Sequence, residues 1–230
     1  TLNARWQLGR DPAETGLKLS RIASKLADKL FEDAPGVWSE LVNRENPSSN
    51  SVKARRDLMH KMLTHEGQEN LGIEGFPAER GLYVALLGYP KLHVQGPDGR
   101  WKFAAPRDDD SKGFKALWSE TRKLLGDSAA RVSATDIHKR WAQAPIGMRA
   151  GIMPVYFTAF LLSNKGNLAL YKDGMFVPEL TEADLDEYLQ DASRFSLRWI
   201  VIDEQKTAIL EGVAKVLSEL GVAPVSMDPL

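Results

Sequence analysis

The sequence predicts a mainly helical α+β fold with small β-hairpins, and three observations lead to this prediction. The same order of elements occurs twice: an amphipathic helix, a corner broken by glycine or proline, an apolar helix and a tight hairpin. Both hairpins alternate apolar and polar residues around a turn that contains Asp-Gly. Further stretches with apolar residues at helical spacing surround the two copies.

In the first copy, the Ser-Ser-Asn run at residues 48–50 opens a helix that is expected to run to about Thr64. Residues 75–77, Gly-Phe-Pro, make the corner, and a second helix is expected over residues 77–87. Residues 91–103 then alternate around a Gly-Pro-Asp-Gly turn, a pattern typical of a β-hairpin.

In the second copy, Ser133 caps a helix that is expected to end near Gln143, where residues 144–147 break it. A helix over residues 152–163 and a hairpin over residues 168–177 follow. Helix, corner, helix and hairpin is the order of elements in a winged helix. The sequence therefore predicts two winged-helix-like modules with additional helices. The repeat is architectural, because the copies share few side-chain identities.

Additional elements are expected around the modules. The first helix begins near Pro12 and ends before residues 34–36. Its apolar stripe consists of Leu19, Ile22, Ala23, Leu26 and Leu30. The other elements are a short packed helix at 37–43, which contains Trp38, helices at 114–125 and 181–189, a strand at 195–202 and a closing helix at 206–220.

Residues 106–113, Pro-Arg-Asp-Asp-Asp-Ser-Lys-Gly, have no hydrophobic periodicity. They are predicted to link an N-terminal part, residues 1–105, to a C-terminal part, residues 114–230. The first part would hold the N-terminal helices and the first module. The second part would hold the second module with the C-terminal strand and helix.

Composition limits the classes of function. The chain has 230 residues, 43% of them hydrophobic, and is long enough to bury a sizeable core. Its 30 lysines and arginines balance 31 aspartates and glutamates, so any site for a polyanion must be a local patch. The absence of cysteine excludes disulfides and thiolate metal sites and fits a reducing cytoplasm. No stretch approaches the roughly 18 apolar residues of a membrane span, so no membrane contact is expected.

No catalytic motif is found, since the chain lacks G-x-x-x-x-G-K-[ST], G-x-G-x-x-G, H-E-x-x-H and G-x-S-x-G. We therefore expect no enzyme activity, no metal or other cofactor, and no ATP bound in a Walker-type loop. His60 and His65 point apart around a helix, the acidic run 108–110 lacks the spaced ligands of a calcium loop, and Asp136 and His138 face different ways. An active site assembled from distant residues stays open as an alternative.

The first candidate for phosphate contacts is a basic helix face. Lys53, Arg55, Arg56 and Lys61 crowd one helix whose other side is apolar, so they form a local positive patch. The plainer alternative is an exposed face that pairs with acidic neighbours.

The second candidate surrounds the corner of the second copy. Lys139 and Arg140 end a helix, and Arg149 lies in the glycine-containing segment 145–151 that leads into the next helix. Free backbone N–H groups at such a helix start can hold a phosphate oxygen. The alternative is a tight corner whose glycines let two helices pack closely. Lys172, at the tip of the second hairpin, completes the set of predicted nucleic-acid-binding residues.

The second helix of each copy argues against base-specific recognition. A helix that reads DNA presents polar side chains to the major groove. Residues 155–162 are instead apolar almost all round, and residues 77–87 carry two charges, Glu79 and Arg80. Both helices are therefore expected to be buried. Contacts are expected from the basic helix, the corners and the wings, whose exposed candidates are Asp98, Arg100, Lys102, Lys172 and Asp173.

Several segments resemble a known family. Residues 34–44 (APGVWSELVNR), 54–58 (ARRDL) and 71–80 (LGIEGFPAER) resemble a segment of large bacterial P-loop ATPases encoded in phage-defence islands, of the BREX-like kind. Residues 145–154 (PIGMRAGIMP) and 169–180 (ALYKDGMFVPEL) are similar to a later segment of the same proteins. The resemblance spans residues 34–180 and rests on a diffuse pattern without catalytic motifs. It implies a region outside the ATPase core of a multidomain protein that senses or processes foreign DNA.

The sequence therefore predicts a non-catalytic cytoplasmic region of a larger bacterial anti-phage defence ATPase. The region would contact the DNA backbone without sequence preference and would dock the parent ATPase domain or other defence proteins. The missing Walker loop and the start at Thr1 without a methionine agree with a piece of such a protein. The main alternative is a protein-interaction or dimerisation scaffold that binds no nucleic acid.

Overall fold

The computed structural model describes residues 19–44, 47–107, 113–126 and 130–200, and over these residues the fold is of the mixed α+β class. The start of the first predicted helix, residues 108–112 of the predicted linker, the end of the predicted strand and the closing helix at 206–220 lie outside the described residues. The helices are α1 (Leu19–Leu30), α2 (Glu40–Asn43), α3 (Ser49–Thr64), α4 (Ala78–Tyr83), α5 (Phe114–Gly126), α6 (Ala134–Ala142), α7 (Met153–Ser163) and α8 (Glu182–Gln190).

Two small antiparallel sheets accompany the helices. In the first, β1 (His93–Gln95) pairs with β2 (Trp101–Phe103) around the predicted turn. The second, in the order β3-β6-β4-β5, consists of β3 (Val132–Ser133), β4 (Leu168–Lys172), β5 (Met175–Val177) and β6 (Phe195–Trp199). Leu197 of β6 pairs with Val132 on one side and with Leu170 on the other. The predicted hairpin at 168–177 is thus the outer half of a four-stranded sheet.

Side-chain caps fix the helix starts that the sequence predicts. The Ser48 hydroxyl accepts a hydrogen bond from the N–H of Ser51 at the start of α3, and Ser133 does the same for α6. Thr181 and Asp184 form a reciprocal capping box at the start of α8. These three predictions are confirmed. The helix expected over residues 77–87 is α4, continued by a π-helical turn over Val84–Gly88.

The apolar stripe of α1 is mixed in exposure, and one prediction about a packed apolar residue is wrong. In the stripe, Leu30 is 48% exposed and Ala23 is exposed, while Ile22 is buried. The described elements therefore cover only part of this face. Trp38 was expected in a packed helix and is 84% exposed, because Ser39 caps α2 and the helix begins after the tryptophan.

A strap, residues 31–41, lies against the corner that follows α6. The N–H of Asp33 donates to the carbonyl of Pro145 at 3.2 Å. A Cβ atom at Gly147 would lie under 3.0 Å from the Phe31 ring, and one at Gly151 would lie under 3.0 Å from the Leu41 carbonyl oxygen. Glycine at these two positions is what lets the strap approach the corner.

The Gly151→Ala variant is expected to lower the free energy of unfolding by about 1–3 kcal/mol, because the added methyl group overlaps the Leu41 backbone. Gly166→Ala is the matched control, since a Cβ there meets nothing within 4 Å. Urea denaturation of both variants measures the difference. Equal stability of the two variants would show that the strap does not pack closely against Gly151.

The buried apolar side chains form one continuous cluster that includes residues of α3, β2, α5, α7, α8 and β6. At its centre lies α7, whose residues 155–162 are all buried, as the sequence predicts. α3, α6 and β2 pack against α7. Elements on both sides of residues 106–113 therefore share this core, and the division of the chain at that segment stays a prediction.

Candidate nucleic-acid interface

A groove between α3 and α8 brings together three of the predicted cations. Its volume is about 570 Å³, and its floor includes the apolar side chains of Val52 and Leu189. Lys53, Arg55 and Arg56 line it, together with Ser49, Asp186 and Gln190. We call it the α3–α8 groove. Three of the four cations of the predicted positive face therefore line one groove.

Two of the three cations are paired with carboxylates. Lys53 Nζ lies 2.6 Å from Asp57 Oδ2, one helical turn away. Arg56 donates from Nε and Nη2 to the two carboxylate oxygens of Asp186 at 2.6 and 2.5 Å. This bidentate geometry is also the geometry in which arginine binds phosphate. The hydrogen bonds from Arg56 lower the pKa of Asp186 to about 2.

His60 strengthens the link between α3 and α8. Its Nε2 lies 2.9 Å from Asp186 Oδ1, and its Nδ1 lies 3.4 Å from Glu182 Oε1. Asp186 therefore has two partners on α3, one helical turn apart. Acidic residues of α8 neutralise basic residues of α3, which is the plainer alternative that the sequence leaves open for this face.

Arg55 has a different environment from its neighbours. Its Nη1 donates to the carbonyl of Gly151 at 3.0 Å. Burial lowers its pKa from the ordinary value of arginine. Its Nε is buried and has no hydrogen-bond partner among the described residues. The bond to Gly151 connects the basic helix to the corner that carries Arg149, whose side chain is exposed.

The other predicted contact residues do not line the groove. Lys61 is half-buried and makes no ion pair with the described part of the chain. Lys139 pairs with Asp136 at 3.1 Å, within α6. Arg140 pairs with Glu120 of α5 at 2.5 Å and also donates to the Ala144 carbonyl. The expectation that Lys172 is exposed is wrong: it is half-buried because it lies 2.8 Å from each of two carboxylates of α8, those of Asp184 and Glu187.

The two glycines of the corner, Gly147 and Gly151, are sites of close packing. Phe31 covers Gly147, and the Leu41 backbone covers Gly151. The glycines thus allow close packing, as the alternative interpretation of this segment describes: Leu41, at the end of the strap, belongs to α2 and packs on Gly151, while Phe31 packs on Gly147 from outside any helix. Arg149 stays exposed on the outer side of the same corner.

His138 takes part in a polar cluster that the sequence does not predict. From the sequence, it faces away from Asp136 on one helix. Its Nε2 lies 2.7 Å from the Tyr188 hydroxyl, and its ring packs beside Trp141 and Phe157. Burial lowers the pKa of His138 to about 4. The only sequence signal was its place on the apolar side of α6, one residue after Ile137.

Within the described ranges, no group of three or more His, Cys, Asp and Glu side chains is placed to hold a metal ion. His60 contacts α8, whereas His65 bonds to Thr64, so these histidines do not converge. No described helix is both long enough and apolar enough to cross a bilayer.

Comparisons with protein-family models, with curated proteins and with solved structures find no match to the chain.

Proposed function

We propose that the chain is a non-catalytic winged-helix region of a larger bacterial anti-phage defence ATPase. In this proposal the α3–α8 groove and the Arg149 corner contact the DNA phosphate backbone without sequence preference. Other surfaces dock the parent ATPase domain or other defence proteins. The chain acts in the cytoplasm.

The order of elements supports the winged-helix interpretation. With β5 and α8 left aside, the order α5, β3, α6, α7, β4 and β6 is helix, strand, two helices and two strands, and the sheet order β3-β6-β4 sets the last strand between the other two. In this interpretation, β5 and α8 are an insertion in the wing. The burial of α7 supports backbone contact over base reading, because a covered helix cannot enter a major groove.

The observation that carries the DNA proposal is the hydrogen bond between Arg55 and Gly151. The sequence presents the basic helix and the corner as two separate features, and this hydrogen bond joins them. Lys53 and Arg56 would have to exchange their carboxylate partners, Asp57 and Asp186, for phosphate oxygens, which arginine binds in the same bidentate geometry.

Fluorescence anisotropy of a labelled duplex and a labelled single strand tests the proposal. With three phosphate contacts, affinity for the duplex is expected to fall about 40-fold between about 50 and 200 mM salt. The Arg55→Ala and Arg56→Ala double variant should weaken binding and reduce the slope of log affinity against log salt by about two. Lys53→Ala with Arg56→Ala tests the same groove while keeping the half-buried Arg55.

The matched control replaces two exposed cations elsewhere, Lys123 of α5 and Arg198 of β6, by alanine. This control changes the net charge equally and should bind DNA like the original chain. If the control and the groove variants weakened DNA binding equally, the effect would be due to net charge and not to the groove. No binding by the original chain at low salt would contradict the DNA proposal.

Asp186→Asn should strengthen DNA binding several-fold at low salt. The substitution removes the negative charge that holds Arg56 while keeping an acceptor for its hydrogen bonds. Arg56 then becomes available to phosphate. Anisotropy under the same conditions measures the change, and unchanged or weaker binding would argue that Arg56 is a structural link between α3 and α8.

A scaffold without nucleic-acid binding is the second candidate function, and the exposed apolar side chains favour it. Phe76 and Tyr89 are exposed in the first copy, and Met175 and Phe176 are exposed on the hairpin of the second. Exposed apolar groups of this size mark protein contacts when they lie together. Sedimentation velocity over a range of concentrations tests this function. A mass that rises with concentration and does not respond to DNA would favour the scaffold.

A further inference from the structure

A second cleft, separate from the α3–α8 groove, lies where the C-terminal ends of α3 and α7 meet β4 and the start of α8. Its volume is about 500 Å³, which is in the range of small-molecule sites. Leucine side chains form most of its wall: Leu63, Leu161, Leu162, Leu170 and Leu180. A ligand in this cleft would therefore need an apolar body.

Several polar groups of this leucine cleft are satisfied within the protein. The ammonium group of Lys165 pairs with Glu66. The Thr181 hydroxyl donates to Asp184 at 2.6 Å as part of the capping box, and the Thr64 hydroxyl donates to the His60 carbonyl at 2.9 Å. These groups have little to offer an anionic ligand, because their donors are already used.

Two carboxylates of the lining, Glu179 and Glu182, are solvent-exposed. Glu179 makes no ion pair with the residues that the structure describes. The Glu182 side chain is 52% exposed and contacts the His60 ring at 3.4 Å. Because Glu66 neutralises the one lysine of the lining, the remaining charge of the lining is negative. Charge complementarity therefore favours a cation there.

We propose that the leucine cleft binds a small organic amine with an apolar body. The ammonium group lies against Glu179 and Glu182, and the apolar part is buried among the leucine side chains. Such an arrangement gains free energy from apolar burial, while the carboxylates fix the orientation of the ligand. The site uses none of the groove cations.

Two probes of equal shape and opposite charge test the proposal. The 15N-labelled chain is titrated with 4-phenylbutylamine and, separately, with 4-phenylbutyrate, and amide shifts are followed by NMR. We expect the amine to shift amides of the cleft and to bind at least tenfold more tightly than the carboxylate. Equal binding of both probes, no binding, or shifts confined to another surface would overturn the proposal.

Amino-acid substitutions test whether the amine binds in the leucine cleft. Glu179→Gln with Glu182→Gln should remove the preference for the amine, whereas Glu69→Gln with Glu74→Gln, an equal change of charge at exposed positions elsewhere, should keep it. Leu180→Trp, at a half-buried wall position, should fill the cleft and abolish binding of the amine. Retention of the preference in the Glu179 and Glu182 variant would contradict the assigned role of these carboxylates.

Discussion

Replacement of Phe157 by alanine is expected to lower the free energy of unfolding by about 3–5 kcal/mol, the usual cost of removing a buried phenyl ring. Phe157 is 2% exposed and lies on α7 at the centre of the core. Its ring stacks on Tyr188 of α8 with centroids 4.7 Å apart, and it meets the edge of His138 of α6. The substitution therefore leaves a cavity where three helices meet.

Phe176→Ala is the matched control, because the same side chain is 52% exposed on the hairpin of β4 and β5. Its loss should change the free energy of unfolding by much less, and urea denaturation followed by circular dichroism compares the two variants. Similar losses would contradict the burial of α7. The expected difference bears on function, since a helix that the fold needs as core is not free to read bases.

The second large effect is a fall in stability between pH 6.5 and pH 4. The folded state holds His138 with a pKa of about 4, below the ordinary value of 6.5. Between these two pH values the unfolded chain binds a proton at this residue and the folded chain does not. Stability therefore decreases as pH falls through the window, by up to about 3 kcal/mol at its lower end.

Denaturant titrations at several pH values measure this slope. Burial also lowers the pKa of His93, which adds to the loss in the same direction. Glu40 and Asp186, whose pKa values are lowered from 4.5 and 3.8 to about 2 by hydrogen bonds, lose their stabilising effect from those ordinary values downward, so most of their loss lies below pH 4. His138→Gln keeps a polar partner for Tyr188 without a titrating group and should flatten the slope. An unchanged slope in that variant would assign the pH dependence to other residues.

Local signals made much of the fold predictable. Ser48, Ser133 and Thr181 start helices because a side-chain oxygen accepts a backbone N–H wherever the chain turns helical, a property that needs no distant partner. The Asp-Gly turns likewise fix both hairpins. The uniform apolar character of residues 155–162 predicted a buried helix, and α7 is buried.

Contacts between residues distant in sequence could not be predicted from these local signals. Arg56 and Asp186 meet across 130 residues of sequence, so the basic face of α3 could be recognised but its neutralisation by α8 could not. The position of β6 between β3 and β4 also depends on pairing that no local pattern encodes. Trp38 is exposed where a packed helix is predicted, because helical spacing shows which residues share a face and only the tertiary structure decides whether that face is covered.

The strap has a consequence for the timing of folding on the ribosome. Asp33 leaves the ribosome roughly 110 residues before Pro145, its backbone partner, which corresponds to a delay of about 5–20 s at ordinary rates of synthesis. During that interval Phe31 and Leu41 have no glycine-lined corner to dock on. Closure of so long a loop also carries an entropic cost, so the contact is expected to form late. The strap is made early in synthesis and is thus expected to be among the last segments to reach its native position.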